Sequence, residues 1–413
     1  MTPTKRRSCR YSGRNFQDNG ILVKDALKLI KKLEFYDEII DTFNLDEIEN
    51  DFIEINGAKH LVDTLIEADE EFEKIDLDCP LKNVRLHKYT DDNQIILDIS
   101  GIEDSTILSK TKKDSIQPQS LYSVRSEYLN MHGADKFFEC CKAHNYQDII
   151  DINIGLLNEK SDNDNNPKKF RLLKKDDEYY VRAITSTDVY KDYNLRFSLF
   201  VTLIELHKLI KYKGYSFYVD SFNLNESDIT VLFKSSRTDA ISDDTKIGFG
   251  IELVNDEIKR DAVKINGLFS VHIANTQLFA KPEDPKKCNI LSFPHKGELN
   301  KLKDKTSCLN ECIDKFINDT IHDAQQIKVL KSPEFLREYM LMKIKYSKNS
   351  EFNKNYREQV KQMLSNKVST IFELAVIFNK VELLIGDEHI SSLEFWRYKL
   401  YQVLMDGVKS RDK

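Results

Sequence analysis

Apolar positions recur along the chain with a period that changes, and each change marks an element. From residue 21 to 45 they fall at Leu22, Ala26, Leu29, Ile30, Leu33 and Tyr36, three and four apart, which predicts a helix. Residues 46–78 mix helical and strand patterns. Alternation over 84–89 and 94–99 predicts a hairpin that turns at 90–93. Residues 103–119 read as a polar connection, 121–143 as a helix, and 148–157 as a strand that is apolar on both faces near its end. The segment 158–169, NEKSDNDNNPKK, is rich in turn formers and reads as a loop closed by Pro167. A second hairpin follows, with strands at 170–174 and 179–185, and Arg182 projects from its second strand.

Residues 195–212 carry polar side chains only every three to four positions, at Ser198, Thr202, Glu205, Lys208 and Lys211. The rest of the circumference is apolar, so this helix is expected to pack deeply against a sheet. Gly214 stands where a helix ends. Strands are predicted at 215–222 and 228–235, then a mobile loop at 236–246, then two long apolar strands over 247–279 flanking a charged turn. A helix followed by strands without regular βαβ alternation argues an α+β fold, with a central, largely antiparallel sheet backed by a buried helix. The proline-bearing segment 280–295 reads as a linker, and everything after it as helix. Leu302, Leu309, Cys312, Ile313, Phe316, Ile317, Ile321 and Ala324 form one stripe, Ser332-Pro333 supplies an N-cap and first-turn proline, and Thr370/Glu373 and Ser391/Glu394 have capping-box spacing. With Gly386 and Gly407 at helix ends, this predicts about five helices. The expected organisation is a basic arm at 1–20, a mixed α/β module at 21–147 holding an acidic segment, a central module at 148–280 and an all-helical C-terminal bundle at 296–413.

A chain of 413 residues with 40% hydrophobic positions exceeds what one core organises, so several modules are expected. No apolar run reaches the eighteen or so residues that cross a bilayer, and the first residues lack a signal-peptide centre, which predicts a cytoplasmic protein with no membrane partner. Seven scattered cysteines, an odd number, fit free thiols in a reducing compartment. The net charge of −6 is unevenly spread. Residues 37–78 hold sixteen acidic side chains against Lys59 and Lys74, a local −14, so the rest of the chain carries +8. Lys5, Arg6, Arg7, Arg10 and Arg14 make a short cationic arm that is able to meet phosphates or the protein's own acids.

Reaction chemistry is sparse. Asp162, Asp164 and Asn166 are spaced as in a calcium loop, but the glycine is absent and Leu173 replaces the closing glutamate. Cys308 and Cys312 lie four apart, with Cys140, Cys141 and His144 elsewhere, yet no paired C-x-x-C occurs. Asp220, Glu252 and Glu257 lack the spacing of a metal-dependent nuclease, and no H-E-x-x-H, G-x-S-x-G or phosphate-loop motif is present. No catalytic residue, metal or cofactor is therefore expected, and His207 and His272 read as core or rim residues. Asn255 and Asn275, amides in apolar strands, must find hydrogen bonds. What remains is a cationic, aromatic surface on the central module, using Arg182, Tyr190, Lys191, Tyr193, Arg196, Lys259, Arg260 and Lys264, the combination that single-strand binding demands.

Residues 149–330 resemble the phage- and plasmid-encoded family known as domain of unknown function 932, through Gly250, Ile251, Asn255, Glu257, Ala262, Gly267, Val271 and Asn275, preceded by Ser186, Tyr190 and Lys191. Where many members carry a cysteine this chain has Ile273, so the resemblance implies no thiol chemistry. It implies a mobile-element context in a bacterial or phage-infected cell. Together with the basic surface it predicts an accessory protein that binds DNA or RNA, and the C-terminal helices predict homo-oligomerisation. The alternative is a non-catalytic interaction or structural protein of a mobile element or virion.

Overall fold

In chain order the computed structural model forms β1 (Arg7–Arg10), β2 (Ile21–Leu22), α1 (Val23–Ala26), α2 (Tyr36–Phe43), β3 (Phe52–Ile53), β4 (Ile55–Asn56), α3 (Ala58–Glu70), β5 (Glu73–Pro80), β6 (Val84–Tyr89), β7 (Ile95–Ser100), α4 (Ser105–Thr111), β8 (Ser115–Ile116), β9 (Gln119–Ser120), α5 (Val124–Met131), α6 (Asp135–Ala143) and α7 (Gln147–Ser161). It continues with β10 (Pro167–Lys175), β11 (Glu178–Ser186), α8 (Leu195–Lys213), β12 (Phe217–Leu224), β13 (Asp228–Ser242), β14 (Thr245–Asp256), β15 (Val263–Ile273), β16 (Thr276–Ala280) and β17 (Asn289–Phe293). The last helices are α9 (Leu309–Gln326), α10 (Pro333–Lys345), α11 (Lys354–Met363), α12 (Ile371–Ile385) and α13 (Ile390–Tyr401). The structure describes residues 5–11, 16, 18–103, 105–161, 164–187, 193–242, 245–258, 262–273, 276–282, 289–293, 304, 309–326, 332–348, 352–385 and 390–406. The fold is α+β, as expected. Two compact units form, one of residues 1–5, 67–192 and 257–260, the other of 6–66, 193–256 and 261–413.

The first unit is built on a sheet ordered β5-β10-β11-β9-β7-β6, with β8 added to β7; β9 and β11 run parallel and the remaining pairs are antiparallel. Alternation decides its buried face: Ile75 and Leu77 on β5, Leu97 and Ile99 on β7, and Phe170 and Leu172 on β10 meet Val124, Leu129, Phe138 and Ile150 of α5–α7. Both predicted hairpins are present. The hairpin of β10 and β11 pairs with β5 and β9, so it belongs with residues 73–120 and not with the strands after 193, where the sequence reading grouped it. The helix expected at 121–143 is two, separated at Gly133, whose φ of +65° no interior helical residue adopts. The polar connection at 103–119 holds α4, β8 and β9.

The strand expected at 148–157 is a helix, α7. Its isoleucines suggested a strand by propensity, but Ile150, Ile154 and Leu157 fall four and three apart and cover the sheet together. Asn158 then locks the helix to β6, accepting from the Leu86 N–H at 2.8 Å and donating to the Leu86 carbonyl at 2.9 Å. This helix takes up part of the predicted loop, since α7 runs to Ser161 and β10 starts at Pro167.

In the second unit the sheet runs β1-β12-β13-β14-β15-β16, with β4 parallel to β12 and β17 on β15. The single helix predicted at 21–45 breaks into β2, α1, a 3-10 turn and α2. The basic arm is a strand and not a free tail: β1 pairs with β12, and Arg6 donates to Asn223 at 2.9 Å and to Asp228 at 2.8 Å. β13 and β14 extend through the segment expected to be a loop, paired from Asp228↔Asp256 to Ser242↔Thr245 with register shifts between Lys234 and Thr238 and between Ala240 and Ser242. The expected linker contains β17, whose buried Leu291 and Phe293 hold it to β15.

α8 starts at Asn194, whose side chain accepts from the Phe197 N–H, and stops at Gly214 with φ +67°. It is buried nearly throughout, as the sequence predicts. The C-terminal helices are not a separate appendage. Leu336, Met340, Phe378 and Trp396 share one core with Ile247, Phe269, Val271 and Leu278 of the sheet. Ser332 caps α10, and Thr370 and Glu373 close a reciprocal capping box, whereas Ser391 falls within α13 rather than before it. Gly386 and Gly407 lie outside the described residues. Among the described residues no helix is long and apolar enough to cross a membrane.

Candidate nucleic-acid interface

Among the described residues the predicted cationic rim does not assemble. Arg182 is 1% exposed; its guanidinium donates to Glu257, itself fully buried, at 2.5 Å. Lys74 donates to the same carboxylate at 3.0 Å, and Arg171 to the Glu257 backbone carbonyl at 2.8 Å. A carboxylate withdrawn from water needs such partners, so Arg182 and Glu257 form an internal tie of the first unit rather than a phosphate contact. Arg196 is buried as well, and Tyr193 lies in a ring cluster with Phe35, Phe197 and Phe293. Lys264 is half-buried on β15. Tyr190, Lys191, Lys259, Arg260 and Asn275 lie outside the described residues.

The other motif residues have packing roles. Asn255 is fully buried and its amide donates to the Tyr193 carbonyl and the Ser198 hydroxyl, both at 3.0 Å, which fixes α8 against β14. Gly250 sits on β14 under the Phe233 carbonyl of β13, and Gly267 of β15 lies beneath the ring of Phe316. Asp220, Glu252 and Glu257 do not converge, and among the described residues no three metal-ligating side chains gather.

A buried charge network in the second unit is the first alternative centre. Lys281 bridges Glu252 at 2.5 Å and Glu394 at 3.0 Å, and Arg397 bridges Glu382 at 3.2 Å and Glu252 at 3.8 Å. Burial opposes charge on Glu252, yet Lys281 and Arg397 outweigh it and hold the carboxyl below the usual range. Burial likewise works against the Lys281 ammonium, but Glu252 and Glu394 raise its pKa above the ordinary lysine value. Both groups stay ionised and paired, which suits neither for proton transfer. The adjoining cavity, about 30 Å³ between Ser221, Thr230 and Arg397, holds no more than a water or two.

A cleft of about 500 Å³ in the first unit is larger, but Asp98, Asp177 and Glu178 line it against Lys113 alone, which repels phosphate.

α10 and α13 carry a surface that the sequence pattern alone does not single out. Phe335, Tyr339, Met342 and Tyr346 stand four, three and four apart along α10 and its C-terminal end, and so share one face. Tyr346 is 75% exposed, and Phe335 and Tyr339 stack with centroids 6.1 Å apart. Lysines accompany the rings: Lys343 lies 5.0 Å from the Tyr339 centroid, Lys345 5.7 Å from Tyr346, and on α13 Lys399 5.0 Å from Phe395. Met342, Lys343, Tyr346, Ser347, Phe395 and Lys399 line one open groove of about 280 Å³. Its signal was present as apolar residues at helical spacing with lysines at 343, 345 and 348. That spacing also describes a bundle core, and only the fold shows that Leu336, Met340 and Ile344 take the core side and leave the aromatic side open.

Comparison with protein-family models, curated proteins and solved structures returned no match.

Proposed function

We propose that this chain binds single-stranded nucleic acid in the groove between α10 and α13. The observation that carries the reading is the pairing of Lys343 with half-buried Tyr339 and of Lys345 with exposed Tyr346 along one helix face, with Lys399 across the groove. Rings provide sequence-tolerant stacking for bases, and lysines beside them meet the backbone between stacked bases. On base entry the flexible lysine stems swing from the ring faces toward phosphates, exchanging a cation–π contact for a charge pair. The groove is shallow and lined from two helices, which suits a flexible strand better than a rigid duplex. The reading keeps the nucleic-acid function and mobile-element context expected from the sequence and moves the binding surface to the C-terminal helices.

Fluorescence anisotropy with labelled single-stranded DNA and RNA, and with duplex, tests it. Tyr346→Ala should weaken single-strand binding by about 1–3 kcal/mol, the range for loss of one base–aromatic stack. Lys343→Glu with Lys399→Glu should abolish binding at moderate salt. With three lysines on phosphates the plot of log affinity against log salt should have a slope of about −2, from about −0.7 per neutralised phosphate. Absence of binding at low salt, or binding that these variants leave unchanged, rejects the proposal.

A further inference from the structure

α7, which the binding groove does not use, is apolar on two opposite faces. Ile150 and Leu157 are buried in the core of the first unit. Ile149, Ile152 and Leu156 point the other way and are 40%, 66% and 53% exposed, a continuous stripe three and four residues apart. Gly155 adds no side chain beside it, and a Cβ built there would meet nothing within 4 Å. Exposed Asp148, Asp151 and Glu159 flank the stripe, against Lys160. An exposed stripe with three large aliphatic residues on one helix is the kind of patch that marks a protein–protein contact.

The chain carries the complement of this surface. On α10 the exposed face made by Phe335, Met342 and Tyr346 is flanked by Lys343 and Lys345, with Lys348 just beyond. One helix is apolar with a mainly acidic border, and the other carries its lysines toward the C-terminal end and exposed Glu338 near its start, which antiparallel packing sets opposite Lys160. Their lengths match, at about 22 Å and about 20 Å from the rise per residue. Lysines at the C-terminal end of α10 fall opposite Asp148 and Asp151 at the N-terminal end of α7 if the helices pack antiparallel, which also aligns their dipoles favourably. We propose that α7 of one copy docks against α10 of a second copy, head to tail. The contact joins two different surfaces, so it is heterologous, and added copies close into a ring or continue as an open chain. A contact of two helices is at the small end of specific interfaces, so association should be weak and concentration-dependent. The inference rests on the α7 stripe and its charge match and stands whether or not nucleic acid binds.

The test is sedimentation velocity on the full chain from low to high micromolar concentration. Ile152→Asp and Tyr346→Asp change exposed side chains, and unchanged circular dichroism and melting temperature confirm that each variant folds. The wild type should form species larger than the monomer as concentration rises. Each variant alone should shift self-association by at least tenfold toward monomer. An equimolar mixture should form a species of two chains and stop there, because the intact α10 of the Ile152→Asp chain meets the intact α7 of the Tyr346→Asp chain. A wild type that stays monomeric throughout overturns the proposal. So does a Tyr346→Asp chain that assembles alone, which would mean α7 pairs with itself, or a mixture that yields no two-chain species.

Discussion

A Cβ added to Gly267 would lie 2.5–2.6 Å from three ring carbons of Phe316, closer than real Cβ contacts come. The glycine on β15 therefore lets α9 approach the sheet, and its place in the motif follows from packing. Gly267→Ala should destabilise the protein by about 1–3 kcal/mol, the usual cost of overpacking a filled core. Phe316→Leu, which removes the opposing ring edge, should recover much of that loss in a double-mutant cycle read by denaturant unfolding. Additive costs would mean that the two side chains do not compete for space. Glu205 makes a residue-scale prediction of another kind. It is 2% exposed on α8, and burial raises its pKa although Lys208, donating at 2.8 Å, pulls it back. A folded-state pKa above the unfolded value means that the folded protein binds the proton more tightly. The contribution to stability is present below the unfolded pKa and lost as pH rises through the folded one. Glu205→Gln keeps the shape without the charge, so its melting temperature should exceed that of the wild type by a margin that grows from pH 4 to pH 7. A margin independent of pH would show that Glu205 is not the titrating group.

At the scale of elements, what the sequence revealed depended on whether one periodicity had one explanation. α8 was legible because polar residues every three to four positions on an otherwise apolar segment suit only a buried helix, and both early hairpins were legible because alternation is bracketed by polar turns. α7 was misread because two apolar faces on one helix mimic a strand buried on both sides, and only tertiary packing assigns Ile150 and Leu157 to the core and leaves Ile152 outside. The ends of β13 and β14 resemble a loop in sequence since Ser236, Arg237 and Thr238 are polar; β-pairing past the covered part of a sheet needs no apolar side chains. The basic arm is read from the sequence as able to meet phosphates or the protein's own acids, yet the acids that Arg6 and Arg10 meet, Asp228 and Glu382, lie hundreds of residues away and no local pattern announces them. The same limit governs the candidate site. Arg182 reads from the sequence as a cation projecting from its strand, whereas Glu257, the group that pairs with it, comes from just past the end of β14, in another part of the sequence.

For the whole molecule, the two proposals make competing demands on Tyr346, Met342 and Lys343. If α10 of one copy rests on α7 of another, the same rings are closed to bases, and a strand in the groove closes the helix to a second copy. Linkage makes the exclusion reciprocal: single-stranded nucleic acid should dissolve the assembly, and raising protein concentration should weaken the apparent affinity for the strand. The Ile152→Asp chain separates the effects, because it loses assembly through α7 while its groove is untouched. It should bind labelled single-stranded DNA at least as tightly as the wild type, with an affinity that no longer falls as protein concentration rises. Sedimentation of wild type with labelled strand should show the label moving with single chains. If the label instead travels with assembled species at one strand per chain, the two surfaces are not shared, and α10 cannot be the face that docks on α7. If assembly behaves as expected and no strand binds at low salt, only the nucleic-acid reading fails, and the lysines and rings of α10 then serve the contact between copies alone.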